Sequence, residues 1–128
     1  MEYLYTTIDM NTQNNDGYTE LILAVRYITD SEQDRFYYEI TSMFTEMIRY
    51  LCDTIDINIQ NNDRNTALMI AILYDKYKTI TQCLCDTFKD TIDISIQNNN
   101  GNTALMLAAK HNTNVKVIQY LCKKLQPI

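Results

Sequence analysis

The side chains best suited to covalent or metal chemistry are His111, the only histidine, and the four cysteines Cys52, Cys83, Cys85 and Cys122. Their spacing supports little of it. His111 has no Ser or Cys motif nearby from which a nucleophilic triad could be built. Cys83-x-Cys85 lacks both the two-residue gap and the second pair of a zinc module. Cys52, Cys85 and Cys122 each follow a Leu at one recurring point of the chain. They read as small buried hydrophobes, with a disulfide or zinc site as the lesser alternative. Reduced thiols fit an intracellular protein. There is no phosphate loop, metal-binding His pair or dinucleotide fingerprint, and the paired carboxylates recur as part of a repeated pattern. The expectation is a protein that is not an enzyme and uses no cofactor or metal.

Binding chemistry is more plentiful. Ten tyrosines are spread through 128 residues. The net charge of −5 hides an asymmetry: residues 1–99 hold all 16 acidic residues and 7 basic ones, whereas residues 100–128 hold Lys110, Lys116, Lys123 and Lys124 and no acid. An acidic body repels phosphate, so nucleic acid is not an expected partner. No apolar run approaches the ~18 residues of a membrane helix, and the start MEYLYTTIDMN lacks the basic and apolar regions of a secretory signal.

The elements that position these residues are written three times. IDMNTQNNDGYTELILAV (8–25), IDINIQNNDRNTALMIAI (55–72) and IDISIQNNNGNTALMLAA (92–109) align without a gap. A repeat at this period signals a stacked architecture, because one unit cannot bury its apolar face alone. Within each unit, Ile-Asp-x-x alternates apolar and polar, which suits a short extended segment. Asn, Asp and Gly then form a turn. Thr19, Thr66 and Thr103 stand before an apolar run as helix N-caps. The run itself, as in Ala104–Ala109, is a short helix with small residues that let a neighbour approach.

Gly101-Asn102-Thr103-Ala104-Leu105-Met106-Leu107-Ala108-Ala109 resembles the ankyrin repeat, whose core reads Gly-x-Thr-Pro-Leu-His-x-Ala-Ala. The match departs at Ala104 and Met106, which become Ala67 and Met69 in the second copy and Glu20 and Ile22 in the first; Arg64 replaces the turn Gly. The lost Pro and His remove the family's usual Thr–His hydrogen bonding. The Asn-, Ile- and Tyr-rich wording is most similar to ankyrin proteins of the giant amoeba viruses. The resemblance implies an all-α ankyrin-repeat solenoid of helix-turn-helix pairs linked by β-hairpin-like turns. Residues 1–128 form one domain: a stub at 1–7, repeat 1 at 8–54, repeat 2 at 55–91 and repeat 3 at 92–128. It also implies a non-catalytic protein–protein interaction module, with a protein partner held on a concave face of turn tips and first helices.

Carried over position by position, the tips give Tyr18, Asp63, Asn65, Asn100 and Asn102, together with Asn15, Asp16, Asn62 and Asn99. The helix ends give Arg26, Tyr27, Leu73, Tyr74, Lys110 and His111. Tyr and Arg are good anchors, since they bring area and a polar tip at modest entropy loss. Leu21, Ala24, Leu68, Ala71, Leu105 and Ala108 are expected in the core. Two alternatives stand beside this reading. One is a substrate-recognition part of a ubiquitin-ligase adaptor, which requires an F-box-like helix segment that is not visible after Cys122. The other is a substrate of an asparagine hydroxylase, since Asn11 and Asn58 follow Asp-Met and Asp-Ile. The expected setting is the cytoplasm, that of the host cell for a viral protein.

The spacing of the copies differs. Repeat 1 is 47 residues and repeat 2 is 37, against about 33 for the family. The extra residues of repeat 1 lie between 28 and 42. Phe36, Ile40, Met43, Phe44, Met47, Ile48 and Leu51 recur at helical steps, which predicts one extended second helix from near Ser31 to Asp53. Register predicts first helices at Glu20–Tyr27, Ala67–Tyr74 and Ala104–His111, and second helices at Tyr77–Asp86 and Val115–Lys124. Asp75 and Asn112 stand where the family has Gly. Residues 2–9 line up with 49–56, the tail of a preceding helix. The face of repeat 1 that such a helix would cover has no other cap in the sequence. A monomer capped by the long helix is favoured over a symmetric dimer.

Overall fold

The computed structural model describes residues 9–30, 34–74, 79–111 and 115–125, with the side chains of 30 and 34–37 left out. Among them there are six helices and no strand: α1 (Glu20–Asp30), α2 (Asp34–Leu51), α3 (Ala67–Tyr74), α4 (Thr79–Thr87), α5 (Ala104–Lys110) and α6 (Val115–Leu125). The stub, Ser31, Asp75 and Asn112 lie outside the described residues. The helices form two rows. First helices α1, α3 and α5 pack side by side, second helices α2, α4 and α6 do the same, and each pair is joined across the rows. Stacking of like on like buries a core that no single pair could close.

Helix α3 sits at the centre. Its sequence ALMIAILY is apolar all round, and Ala67–Ile72 are all buried. A helix with no polar face must be covered on every side, and α3 has α1, α5 and α4 against it. The three threonine caps form as expected: Thr19, Thr66 and Thr103 accept from the N–H of Ile22, Met69 and Met106 at 3.2, 3.3 and 3.3 Å.

The insertion of repeat 1 lengthens both helices rather than one. α1 runs three residues past its predicted end, to Asp30, and α2 has 18 residues against 9 in α4. The apolar stripe of α2 is narrower than its spacing suggests. Phe44 and Ile48 are buried, but Met43 and Met47 are 73% and 40% exposed. Heptad-like spacing marks two adjacent stripes, and only one faces α1 and α4. The four extra residues of repeat 2 add a turn closed by Phe88, which is buried and whose carbonyl accepts from the N–H of Thr91 and Ile92.

The core list needs two corrections. Leu21, Leu68, Ala71 and Ala108 are buried, but Ala24 and Leu105 are only partly buried. Among the described helices α5 packs against α3 and α6, which leaves Leu105 partly open to solvent. Leu107 is the buried leucine of α5. The Ile-Asp-x-x segments are not extended either. Asp9, Asp56 and Asp93 accept the N–H two residues on (2.9, 2.9 and 3.0 Å), and these Asx turns displace a strand.

The turn position before the capped helix has a positive φ in all three repeats: Gly17 at 80°, Arg64 at 63° and Gly101 at 77°. At Gly17 a Cβ would stand 2.7 Å from the Asn62 nitrogen, whereas at Gly101 it would meet nothing within 4 Å. Arg64 holds a conformation that disfavours side chains by roughly 1–2 kcal/mol. Arg64→Gly is therefore expected to raise stability by about 0.5–1 kcal/mol, after the greater freedom of Gly in the unfolded chain is subtracted. Thermal unfolding of the two proteins side by side reads this directly.

Cys85 lies fully buried between the second helices, and desolvation, with Asp86 adding to it, pushes its thiol up to about 12. The unfolded chain releases this proton at a lower pH than the folded one. Stability from Cys85 is thus complete below the ordinary thiol value and falls as pH rises from about 9 towards 12. Cys85→Ala is expected to flatten that alkaline decline in urea midpoints, whatever offset the smaller side chain adds.

Candidate partner-binding groove

The three turns share one geometry. Asn14, Asn61 and Asn98 each accept, through Oδ1, the N–H groups two and four residues on, at 2.9–3.0 Å. Their backbones close the same loop: the N–H of Asn61 donates to Asn65 O (2.9 Å), and that of Arg64 to Asn61 O (2.8 Å). Each tip is thereby fixed before any partner arrives. An Asn side chain can replace the strand ladder that a hairpin would otherwise need.

Backbone and side-chain amides then clamp tip to tip. The N–H of Asn62 donates to Asp16 O and that of Asn99 to Asp63 O, at 3.0 and 3.1 Å. Gln13 and Gln60 each donate to their own turn and to the glutamine carbonyl of the next repeat. Asn11 donates to Thr54 O and accepts from the N–H of Asp56; Asn58 does the same with Thr91 and Asp93. Asn11 and Asn58, singled out as possible modification sites, therefore hold the repeats together with both ends of their amides.

Between the tips and first helices of repeats 2 and 3 lies a groove of about 490 Å³. It is lined by Asp63, Asn65, Leu73, Tyr74, Asn98, Asn99, Asn100, Asn102, Leu107, Lys110 and His111. Nine of the residues expected from register to bind are thus brought together: Asp63, Asn65, Leu73, Tyr74, Asn99, Asn100, Asn102, Lys110 and His111. Asn98 and Leu107 are additions. Asn98 donates from Nδ2 to Asn65 Oδ1 at 3.0 Å, holding one groove residue in place; its turn role was legible, its lining role was not.

The candidates from repeat 1, Asn15, Asp16, Tyr18, Arg26 and Tyr27, stand outside the groove lining. Tyr18 is packed partly against the core, and Tyr27 is 72% exposed beyond the groove. Arg26 bridges the two regions: its guanidinium lies 3.8 Å from the centre of the Tyr74 ring. This contact covers one face of Tyr74 and fixes the ring at the groove's edge, a cation–π geometry. The groove thus offers amide groups from the tips, one acid (Asp63), one base (Lys110) and an apolar wall of Leu73 and Tyr74. That mixture suits recognition of a polypeptide. Among the described residues, no group of His, Cys, Asp and Glu is placed to hold a metal ion, and no helix is long and apolar enough to cross a membrane.

No curated protein matches the chain. The family model for ankyrin repeats matches residues 38–127 in three copies, more than half of the chain. The first turn and α1 fall outside the matched span, yet they build the same fixed tip, threonine cap and side-by-side packing. With that match resting on repeats of one geometry, the chain belongs to the ankyrin-repeat family.

Proposed function

We propose that the groove between repeats 2 and 3 binds a segment of a protein partner. Ankyrin repeats are in general protein–protein interaction modules and typically non-catalytic. The observation that carries the proposal is the convergence of tip and helix-end residues from two repeats on one groove. Their amides are suited to bond a partner's main chain, with Asp63 and Lys110 taking opposite charges and Tyr74 providing area. Mixed polar groups around an aromatic anchor are typical of protein interfaces. The four free thiols support an intracellular setting.

The test is parallel capture from cell lysate with the intact chain and with Tyr74→Ala, followed by affinity measurement on the captured protein. Tyr74 is 45% exposed, so its removal leaves the fold in place. The expected loss is about 2 kcal/mol of binding free energy, the level of an interface hot spot. Tyr27→Ala, outside the groove, is expected to cost less. Equal binding by the intact chain and Tyr74→Ala would place the contact elsewhere.

A further inference from the structure

The outer faces of repeats 1 and 3 expose apolar side chains in complementary ways. At the repeat 1 end, Leu23 and Met47 are 43% and 40% exposed, while their counterparts by register are buried: Ile70 and Leu107 for Leu23, Ile80 and Val117 for Met47. At the repeat 3 end, Met106 is 51% exposed, while its counterparts Ile22 and Met69 are buried. Each end is therefore one half of the interface that joins repeats inside the molecule. Two halves of the same internal joint fit one another, not themselves.

The polar groups follow the same logic. Inside the chain, Asn62 N–H donates to Asp16 O and Asn99 N–H to Asp63 O. The next member of that series is Asn15 N–H of an arriving copy on Asn100 O. The space above Gly101, where nothing lies within 4 Å of a Cβ, corresponds to the place that Asn62 fills above Gly17. Charge agrees along the second helices, where register sets Lys116 opposite Glu46 (itself 3.7 Å from Arg49) and Lys123 opposite Asp53, while at the first helices Lys110 stands opposite Arg26.

We infer that this chain associates head to tail with a second copy, the repeat 1 face of one docking on the repeat 3 face of the other. Such a contact is heterologous and does not close on itself, so it adds copies in a row. The contact is expected at high protein concentration.

Sedimentation equilibrium of the 128-residue chain over a wide concentration range tests this. The expected result is an average mass that rises beyond two copies without a plateau, and that falls with added salt as the opposed charges are screened. Leu23→Lys or Met106→Lys, both at exposed positions, each blocks self-association, by about tenfold or more for the loss of one large buried side chain. An equimolar mixture of the two variants retains one intact face on each partner. It is expected to associate again and to stop at two copies. A single-copy mass at every concentration would overturn the inference. So would a wild-type mass that levels at two copies, or a mixture of variants that does not associate.

Discussion

Replacing Ile72 by Ala is expected to lower the unfolding free energy by about 2–5 kcal/mol, the range for a large aliphatic side chain removed from a well-packed core. Ile72 is fully buried on α3, the helix packed against three others. The helices packed around α3 belong to all three repeats, so little can collapse into a space opened there. Leu105→Ala provides the contrast. Leu105 was expected in the core, yet it is partly buried on the outer face of repeat 3, and its loss is expected to fall below that of Ile72. Urea unfolding of both variants decides the matter: an Ile72→Ala change under about 1 kcal/mol, the size seen at exposed sites, would contradict the central place given to α3.

Asn61→Ala should be nearly as damaging, at about 2–4 kcal/mol, through a different mechanism. Asn61 is 5% exposed, and its Oδ1 accepts the N–H groups of Asp63 and Asn65, both at 3.0 Å. Alanine leaves two partly buried donors without an acceptor, and each such loss costs roughly 1–3 kcal/mol. The same two residues line the groove, so the tip that presents them loses its fixed shape. Asn61→Asp keeps an acceptor oxygen in place and is expected to recover most of the stability. If alanine and aspartate variants unfold at the same urea concentration, the turn does not depend on that oxygen.

These expectations show which parts of the structure could be read from the sequence. The threonine caps and the Asn-based tips were legible because each is made within a few residues of chain. Register then carried Tyr74, Lys110 and His111 to the groove, since equivalent positions in a stack face the same way. What stayed hidden depends on neighbours. Leu105 and Leu68 are the same residue at the same register, yet Leu68 lies between two repeats and is buried while Leu105, on the outer face of repeat 3, is partly exposed. Met43 and Met47 share helical spacing with Phe44 and Ile48, and the spacing does not say which stripe faces α4. The clamps formed by Asn58 and Gln60 were written in the repeats as plain polar residues; their partners lie 33 to 37 residues away. The Asx turn at Asp56 looked like alternation because one carboxylate bonding two residues on leaves the same polar pattern as a strand.

The groove is the central claim, and hydrogen exchange on the chain with and without its captured partner tests it most directly. The account predicts slowed exchange at the tips and helix ends that border the groove, in segments 62–65, 73–74, 98–102 and 110–111, with little change along α2. Protection concentrated on α2, with the groove segments exchanging as in the free chain, would contradict it.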